Sequence, residues 1–463
     1  MKVLLSHGYF LSEDEAERKI MMPYPPQGLL HIGTFLKKKG IDCDIYDTTF
    51  KNFENLSAFI EQKKPEYLGL YTNLMTRLNI LRIIRFIRKS DKLKNTVIIL
   101  GGPDVRYHSD LYIQHGADFT ISGEGERAFF QLISFLEKSD FEQINIIQGL
   151  CFQNSNLKII SGGEPEMIEN MDELPFPDFE LINLSEYFKT WKQFHGYSSI
   201  TLSTMRGCPF SCRWCSKAVF GRSFRRRSVP SVVKELQRLQ KQYSPDRFWI
   251  VDDVFTINKQ WLTDFRDAII SSNLKIEYEC ITRADKLDIE MIHLLKESGC
   301  FRLWIGAESG SQKVLDLMDR GVKAEIVREM IKKTKKAGIE AGTFLMLGYP
   351  GETEADIMET ITHLKDAMPD QFTITLSYPI PGTEFYNMVK DKGLKTPGEW
   401  GTYSDRELDF DRTYKLNYYP YAIRYITHAV KAHQSKLEKS WLRSIKHNII
   451  ASLSRGLMIL NKL

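Results

Sequence analysis

Short apolar runs alternate with longer segments of helical spacing along most of this chain, a pattern that restricts it to sheets covered by helices. The first series predicts strands over residues 2–5, 41–46, 67–71, 97–100 and 119–121. Helical segments over 28–39, 54–63, 76–90 and 126–138 lie between or beside them. Gly40 is placed to end the first helix. This order predicts a doubly wound parallel sheet with helices on both faces, whose ligands bind beyond the carboxyl ends of the strands. Those ends read Ser6-His7-Gly8, Tyr71-Thr72-Asn73, Gly101-Gly102-Pro103 and Gly123-Glu124-Gly125-Glu126. Their glycines either let backbone approach a ligand or only make tight turns. No G-x-G-x-x-G follows the first strand, which argues against a dinucleotide.

A connector over 143–197 holds a small hairpin (151–153 with 158–160) and the extended link Leu174-Pro175-Phe176-Pro177-Asp178. Alternation then resumes with strands over 199–204, 248–252, 276–282, 301–306, 341–347 and 372–377. Helices over 259–270, 288–297, 323–337 and 353–367 separate the later ones. Six such units are too few for a closed eight-unit barrel. Barrel chemistry sits at the carboxyl ends of the strands, and there the chain places Asp252 and Asp253, then Arg283, Glu308 with Ser309, and Gly348. After the first of these strands come Cys208, Cys212 and Cys215, spaced Cys-x3-Cys-x2-Cys. Three thiolates on one loop can hold three corners of a cubic iron–sulfur cluster and leave the fourth iron open. Structural zinc wants four closed ligands, and no nearby cysteine supplies the fourth. Cys43, Cys151, Cys280 and Cys300 are scattered, unlike a disulfide framework.

The cysteine triplet resembles that of the radical S-adenosylmethionine (SAM) superfamily. Pro25-Pro26-Gln27-Gly28-Leu29-Leu30, Leu100-Gly101-Gly102-Pro103 and Gly123-Glu124-Gly125-Glu126 resemble the cobalamin-binding domain of B12-dependent members. That family includes the anaerobic Mg-protoporphyrin IX monomethyl ester cyclases and the cobalamin-dependent radical SAM methyltransferases. The resemblance covers roughly residues 1–390. It implies a Rossmann-like cobalamin-binding domain over 1–142, a linker over 143–197, an open six-unit (β/α) radical SAM core over 198–390 and a helical extension over 391–463. It implies a 4Fe-4S cluster on Cys208, Cys212 and Cys215, whose electron cleaves SAM to a 5′-deoxyadenosyl radical. SAM would meet Arg283, Glu308, Ser309 and Gly348. Cobalamin would meet Gln27, Gly28, Asn73, Gly101, Gly102, Gly123 and Glu124, without a histidine ligand, because the D-x-H-x-x-G motif is absent and His7 lacks its spacing. The outcome would be methylation, cyclisation or rearrangement of an unactivated carbon. An empty B12-type domain acting by hydrogen abstraction alone, and a non-catalytic cobalamin sensor, are the alternatives.

Several positions carry two readings. Arg283 either meets the SAM carboxylate or pairs with Asp252, Asp253 or Asp285. Asp252 and Asp253 either reach substrate or order the pocket floor. Phe344 to Leu347 either stack on adenine or pack the core. Phe210 and Trp214 are placed to shield the cluster. The run Arg222, Arg225, Arg226 and Arg227 reads as a solvated face, with an anionic substrate or an electron donor as the rival.

A net charge of +4 over 463 residues gives no case for nucleic acid. No signal peptide or membrane span is read, and an exposed low-potential cluster needs a reducing compartment, so the expectation is cytoplasmic. The expected partners are a small-molecule or lipid-like substrate and a low-potential donor such as flavodoxin or ferredoxin. Residues 422–463 read helical and basic, with Trp441, Leu442, Ile445, Ile449, Ile450, Leu453 and Leu457 at helical spacing. That stripe either packs on the barrel or lies on the inner membrane surface.

Overall fold

A computed structural model describes residues 2–139 and 141–462. Its first sheet runs β1 (Val3–His7), β2 (Cys43–Tyr46), β3 (Tyr67–Tyr71), β4 (Val97–Gly101) and β5 (Phe119–Ile121), all parallel. Strand β1 is buried at every position, as a strand covered on both faces must be. Its side chains alternate between two layers. Leu4 joins Leu68, Leu70, Ile98 and Leu100 against the helices Phe53–Lys63, Arg77–Lys89 and Val105–Gln114. Val3, Leu5, Ile99 and Ile121 face the helices Gln27–Lys38 and Gly125–Glu137.

The hairpin expected in the connector is part of this sheet. Strands β6 (Leu150–Gln153) and β7 (Ile159–Ser161) add antiparallel to β5, giving the order β2-β1-β3-β4-β5-β6-β7. Buried Leu150 and Cys151 cover the edge of β5, and their backbones satisfy groups it would otherwise leave bare.

The second sheet holds β8 (Ser199–Leu202), followed by a two-residue ribbon of β9 (Met205–Arg206) and β10 (Arg225–Arg226) that stands apart. It continues through β11 (Arg247–Ile250), β12 (Tyr278–Thr282), β13 (Cys300–Glu308), β14 (Glu340–Leu347) and β15 (Gln371–Leu376). The order β15-β14-β13-β12-β11-β8 is parallel throughout and does not close. Helix Val229–Tyr243, unread in the sequence, starts at the Ser228 cap and buries Val232, Leu236 and Leu239. Phe344 stacks on Trp304 at 4.8 Å, and Leu345 and Leu347 are buried, so this stretch packs the core.

Beyond Arg222, the arginine run is not a solvated face. Arg225 and Arg227 are buried, and Arg226 lies 3.7 Å over Trp261 and 3.4 Å from Asp252. Three of the four guanidinium groups have found carboxylates, Arg225 with Glu124, Arg226 with Asp252 and Arg227 with Glu235, while Arg222 is exposed as a solvated residue would be.

The C-terminal segment folds as a hairpin of two helices, Tyr418–Leu437 and Trp441–Leu460. The second turns Ser444, Ala451, Ser454 and Met458 inward and leaves Trp441, Leu442, Ile445, Ile449, Leu453 and Leu457 exposed. The apolar stripe therefore does not pack on the barrel. Among the described residues no helix is long and apolar enough to cross a membrane.

Candidate functional site

The cysteine loop is held at both ends before any metal is considered. Asp252, at the end of β11, accepts from the backbone N–H of Thr204 (2.7 Å) and Met205 (3.1 Å), which fixes where β8 hands over to the loop. Gly207 follows with φ of 84°, and a Cβ there would lie 2.2 Å from Ser223 Oγ. Only glycine fits. Further along, Arg213 N–H donates to Met318 O at 3.1 Å, its carbonyl accepts from Phe385 N–H at 2.9 Å, and Ser211 Oγ meets Asp319 at 2.7 Å.

Cys208 and Cys215 line a cleft of about 310 Å³, while Cys212 is buried behind them. Arg283 Nη1 and Arg320 Nη1 approach Cys212 Sγ at 3.4 and 3.6 Å. Lys217 Nζ, which lines the same cleft, is buried without a hydrogen-bond partner. Two guanidinium groups thus meet Cys212, and an unpartnered ammonium shares the cleft with Cys208 and Cys215. Such a donor set suits thiolates bound to an anionic iron–sulfur cluster. Burial, with a smaller push from Asp253, raises the Cys208 thiol, so iron must displace its proton.

The residues expected to meet SAM separate into two kinds. Glu308 ends β13 in the left-handed region (φ 63°), beside a register shift against β14. Backbone strain at a non-glycine strand end is a mark of functional sites. Burial raises its carboxyl, with Arg320 and Arg283 opposing. Arg320 Nη2 stands 3.7 Å from Oε1, too far for a hydrogen bond, so Glu308 retains acceptor capacity. The other three are committed within the chain. Arg283 stacks 3.9 Å over Phe210 and donates to Asp285 (2.9 Å) and to Arg320 O (2.6 Å). The pairing with Asp285 is thus made, and Phe210 backs the arginine. Ser309 is buried and accepts from Ser311 N–H at 3.1 Å. Gly348 N–H donates to Glu352 (2.5 Å), and its carbonyl accepts from Ser377 Oγ (2.7 Å) and Arg412 Nη1 (3.1 Å). Burial pushes Glu352 up to about 8.

A second cavity, of about 300 Å³, lies at the carboxyl edge of the first sheet. Gln27, Gly28, Gly101, Gly102, Gly123 and Glu124 line it, as the motifs suggested, but Asn73 does not. The Asn73 side chain caps its own turn, accepting from Met75 N–H (2.9 Å) and Thr76 N–H (3.0 Å). Gly101 is the informative glycine. A Cβ there would meet only Ile121 O, at 3.9 Å. Packing does not demand glycine at this point, and a side chain would enter the cavity. His7 is engaged by Asp47 (2.9 Å) and Thr48 (3.0 Å).

The two units are joined by buried charge. Arg206, one residue before the loop glycine, donates to Glu124 at 2.5 Å and to Glu126, and Arg225 also donates to Glu124. Gln27 Nε2 donates to Thr201 Oγ1. Asp252 orders the floor, since its oxygens serve Thr204, Met205 and Arg226. Asp253 lines both cavities, as do Val219 and Phe220. Burial and the adjacent Asp252 raise its carboxyl. The residues not anticipated here are Arg206, Lys217, Arg320 and His31. The last lies one turn after Gln27 on the same helix face and lines the first sheet's cavity. Burial, then Arg206, lowers it to about 3 and keeps it neutral.

The profile of the Radical SAM superfamily matches residues 202–364, and that of the B12 binding domain matches residues 18–133. The chain is a B12-binding-domain-containing radical SAM protein. This radical SAM protein is 26% identical over 398 residues to an uncharacterized methyltransferase of Pyrococcus horikoshii, covering 85% of its own length and 84% of the relative's. It is 26% identical over 377 residues to the anaerobic magnesium-protoporphyrin IX monomethyl ester cyclase of Synechocystis sp., covering 80% and 73%. The cobalamin-dependent S-adenosylmethionine radical enzyme OxsB, solved with aqua-cobalamin and S-adenosylmethionine bound, superposes with a TM-score of 0.67 at 19% identity. That match covers 79% of this chain and 52% of OxsB, about half its length, and shows a shared fold. The cofactors of this pair of domains are a 4Fe-4S cluster, SAM and cobalamin.

Proposed function

We propose that this radical SAM protein methylates, cyclises or rearranges an unactivated carbon of a small-molecule or lipid-like substrate. When bound, the cluster with SAM supplies hydrogen-atom abstraction, and cobalamin supplies a transferable methyl group. Cys208, Cys212 and Cys215 hold the cluster, and Arg283, Arg320 and Lys217 balance its charge. Glu308 accepts from the SAM ammonium. Arg283, Ser309 and Gly348, engaged elsewhere, shape that site more than they donate to it. Gln27, Gly28, Gly101, Gly102, Gly123 and Glu124 form the cobalamin cradle, and Asn73 supports it through its turn. Asp253 faces substrate and Asp252 the floor.

The observation that carries this reading is the sharing of Asp253, Val219 and Phe220 by both cavities. A substrate beside Asp253 would lie between the cluster cleft and the cobalamin cradle, in reach of both. The protein's task is then to align the groups and exclude water, while the cofactors carry the difficult chemistry. A low-potential donor such as flavodoxin or ferredoxin would supply the electron, in the cytoplasm.

Anaerobic reconstitution with iron, sulfide and hydroxocobalamin, followed by metal analysis and SAM cleavage assays, tests the proposal. Iron, cobalt and 5′-deoxyadenosine together are expected. Iron without cobalt would leave hydrogen abstraction alone, and cobalt without SAM cleavage would leave a sensor.

A further inference from the structure

The helix Trp441–Leu460 is amphipathic in the reverse of the usual sense. A helix on a soluble protein turns its large apolar side chains inward. Here the inward face is mostly small or polar: Ser444, Ala451 and Ser454, joined near the end by Met458, turn in toward the preceding helix, where Ala422, Ala429 and Ala432 are buried, and Ser444 Oγ donates to Ala432 O at 3.0 Å. Small residues let two helices approach closely, so this face is already satisfied by the hairpin. The opposite face carries the bulk. Leu442 is 85% exposed, Leu453 64% and Trp441 63%, and Ile445, Ile449 and Leu460 lie on the same side. At 100° per residue these side chains centre opposite Ala451. Leu437, at the hairpin bend, is exposed too. The helix has 20 residues, so the row is about 30 Å long. Soluble surfaces rarely leave so continuous an apolar strip bare.

The charges around the strip select its occupant. The helix contains no Asp or Glu. Arg443 and Lys446 flank the strip, and Lys439 stands at the bend. Arg455 instead lies over Tyr425 at 5.9 Å, and Lys462 pairs with Glu354 at 2.7 Å. Two copies meeting through this face would bring cations against cations. A bilayer with anionic headgroups offers hydrocarbon to the strip and counter-charge to its border. We infer that this helix is a membrane-surface anchor, lying in the interfacial plane of an anionic bilayer with Trp441, Leu442, Ile445, Ile449 and Leu453 immersed. The inference is independent of the proposed chemistry, since vesicle binding reads neither iron nor SAM cleavage.

The test is co-sedimentation of the reconstituted full chain with vesicles of phosphatidylglycerol and phosphatidylcholine (1:3), and with phosphatidylcholine alone. The expected result is binding to the mixed vesicles that is at least tenfold stronger than to the neutral ones, and weaker at high salt. The double variant Leu442→Glu/Leu453→Glu is expected to lose at least tenfold in binding while iron content and helicity stay unchanged. A second variant, Arg443→Glu/Lys446→Glu, keeps the strip and is expected to abolish the preference for anionic lipid. Equal binding by native and leucine-variant protein, or no binding by the native protein, would overturn the inference. So would a native dimer that the leucine variant converts to monomer without any lipid binding, which would assign the strip to a second copy.

Discussion

The two sheets turn their carboxyl edges toward each other but furnish them in opposite ways. The first sheet offers glycine backbone and apolar side chains, with bare space at Gly101. The second offers charged side chains, most already answered by partners of the same chain: Asp252 by Thr204 and Met205, Arg283 by Asp285, and Glu352 by the Gly348 N–H. An edge of the first kind recognises a large ligand by shape. An edge of the second kind holds a few donor atoms in fixed geometry, with acceptor capacity left at Glu308 and an unpartnered Lys217 beside the cysteine sulfurs and Asp253.

The contrast breaks at its strongest point with Cys212→Ala. Removing one of three sulfurs is expected to drop cluster iron and 5′-deoxyadenosine formation at least a thousandfold, to background, while cobalamin still binds. Loss of both cofactors together would mean the edges are not separable. Arg206→Ala comes next. It strands Glu126 in a buried setting and leaves Glu124 with Arg225 alone, and leaving a buried charge unpaired costs about 3–5 kcal/mol. Denaturant unfolding should show that loss, and Arg206→Lys should recover only part, because one ammonium cannot serve both carboxylates in a fork. Gly101→Leu sharpens the comparison further. Filling the cradle is expected to reduce bound cobalt at least tenfold with iron content unaltered, as read by metal analysis. A variant that kept its cobalt would show that shape at this edge does not select the ligand.

Glu352 leaves both cofactors in place and gives a pH signature in stability alone. Its folded value, about 8, lies above the ordinary carboxylate range, so the native state holds a proton that the unfolded chain releases. Stability therefore falls as pH rises from the ordinary carboxylate value through about 8. Glu352→Gln can still accept from Gly348 N–H without ionising. Its melting temperature is expected to match the native protein near pH 5 and to exceed it at pH 9. A constant difference across that range would assign the effect to packing.

What the sequence disclosed was local, and what it concealed was distant. The cysteine spacing, the strand-end glycines and the positions of Asp253 and Glu308 need only a few neighbouring residues to be read. Arg206 and its partners Glu124 and Glu126 lie about 80 residues apart, and no periodicity links them. Arg225, Arg226 and Arg227 were misread for the same reason, since burial of a guanidinium depends on carboxylates from other elements. Arg320 sits in a Met-Asp-Arg-Gly turn that carries no signal until the fold brings it to Cys212. Asn73 caps its own turn and lies off the cavity lining, which its residue type alone could not reveal. The C-terminal helix was legible as amphipathic, but periodicity cannot say which face turns inward. Here Ser444, Ala451 and Ser454 do, not the stripe.

The central claim is a cluster with three sulfur ligands and one iron open to SAM. Electron–nuclear double resonance on the reduced, reconstituted protein with SAM labelled by ¹⁵N at the amino group and ¹⁷O at the carboxylate tests it directly. Hyperfine coupling from both labels to the cluster is the predicted result. A reduced cluster whose spectrum is unchanged by SAM, with no coupling from either label, would contradict it.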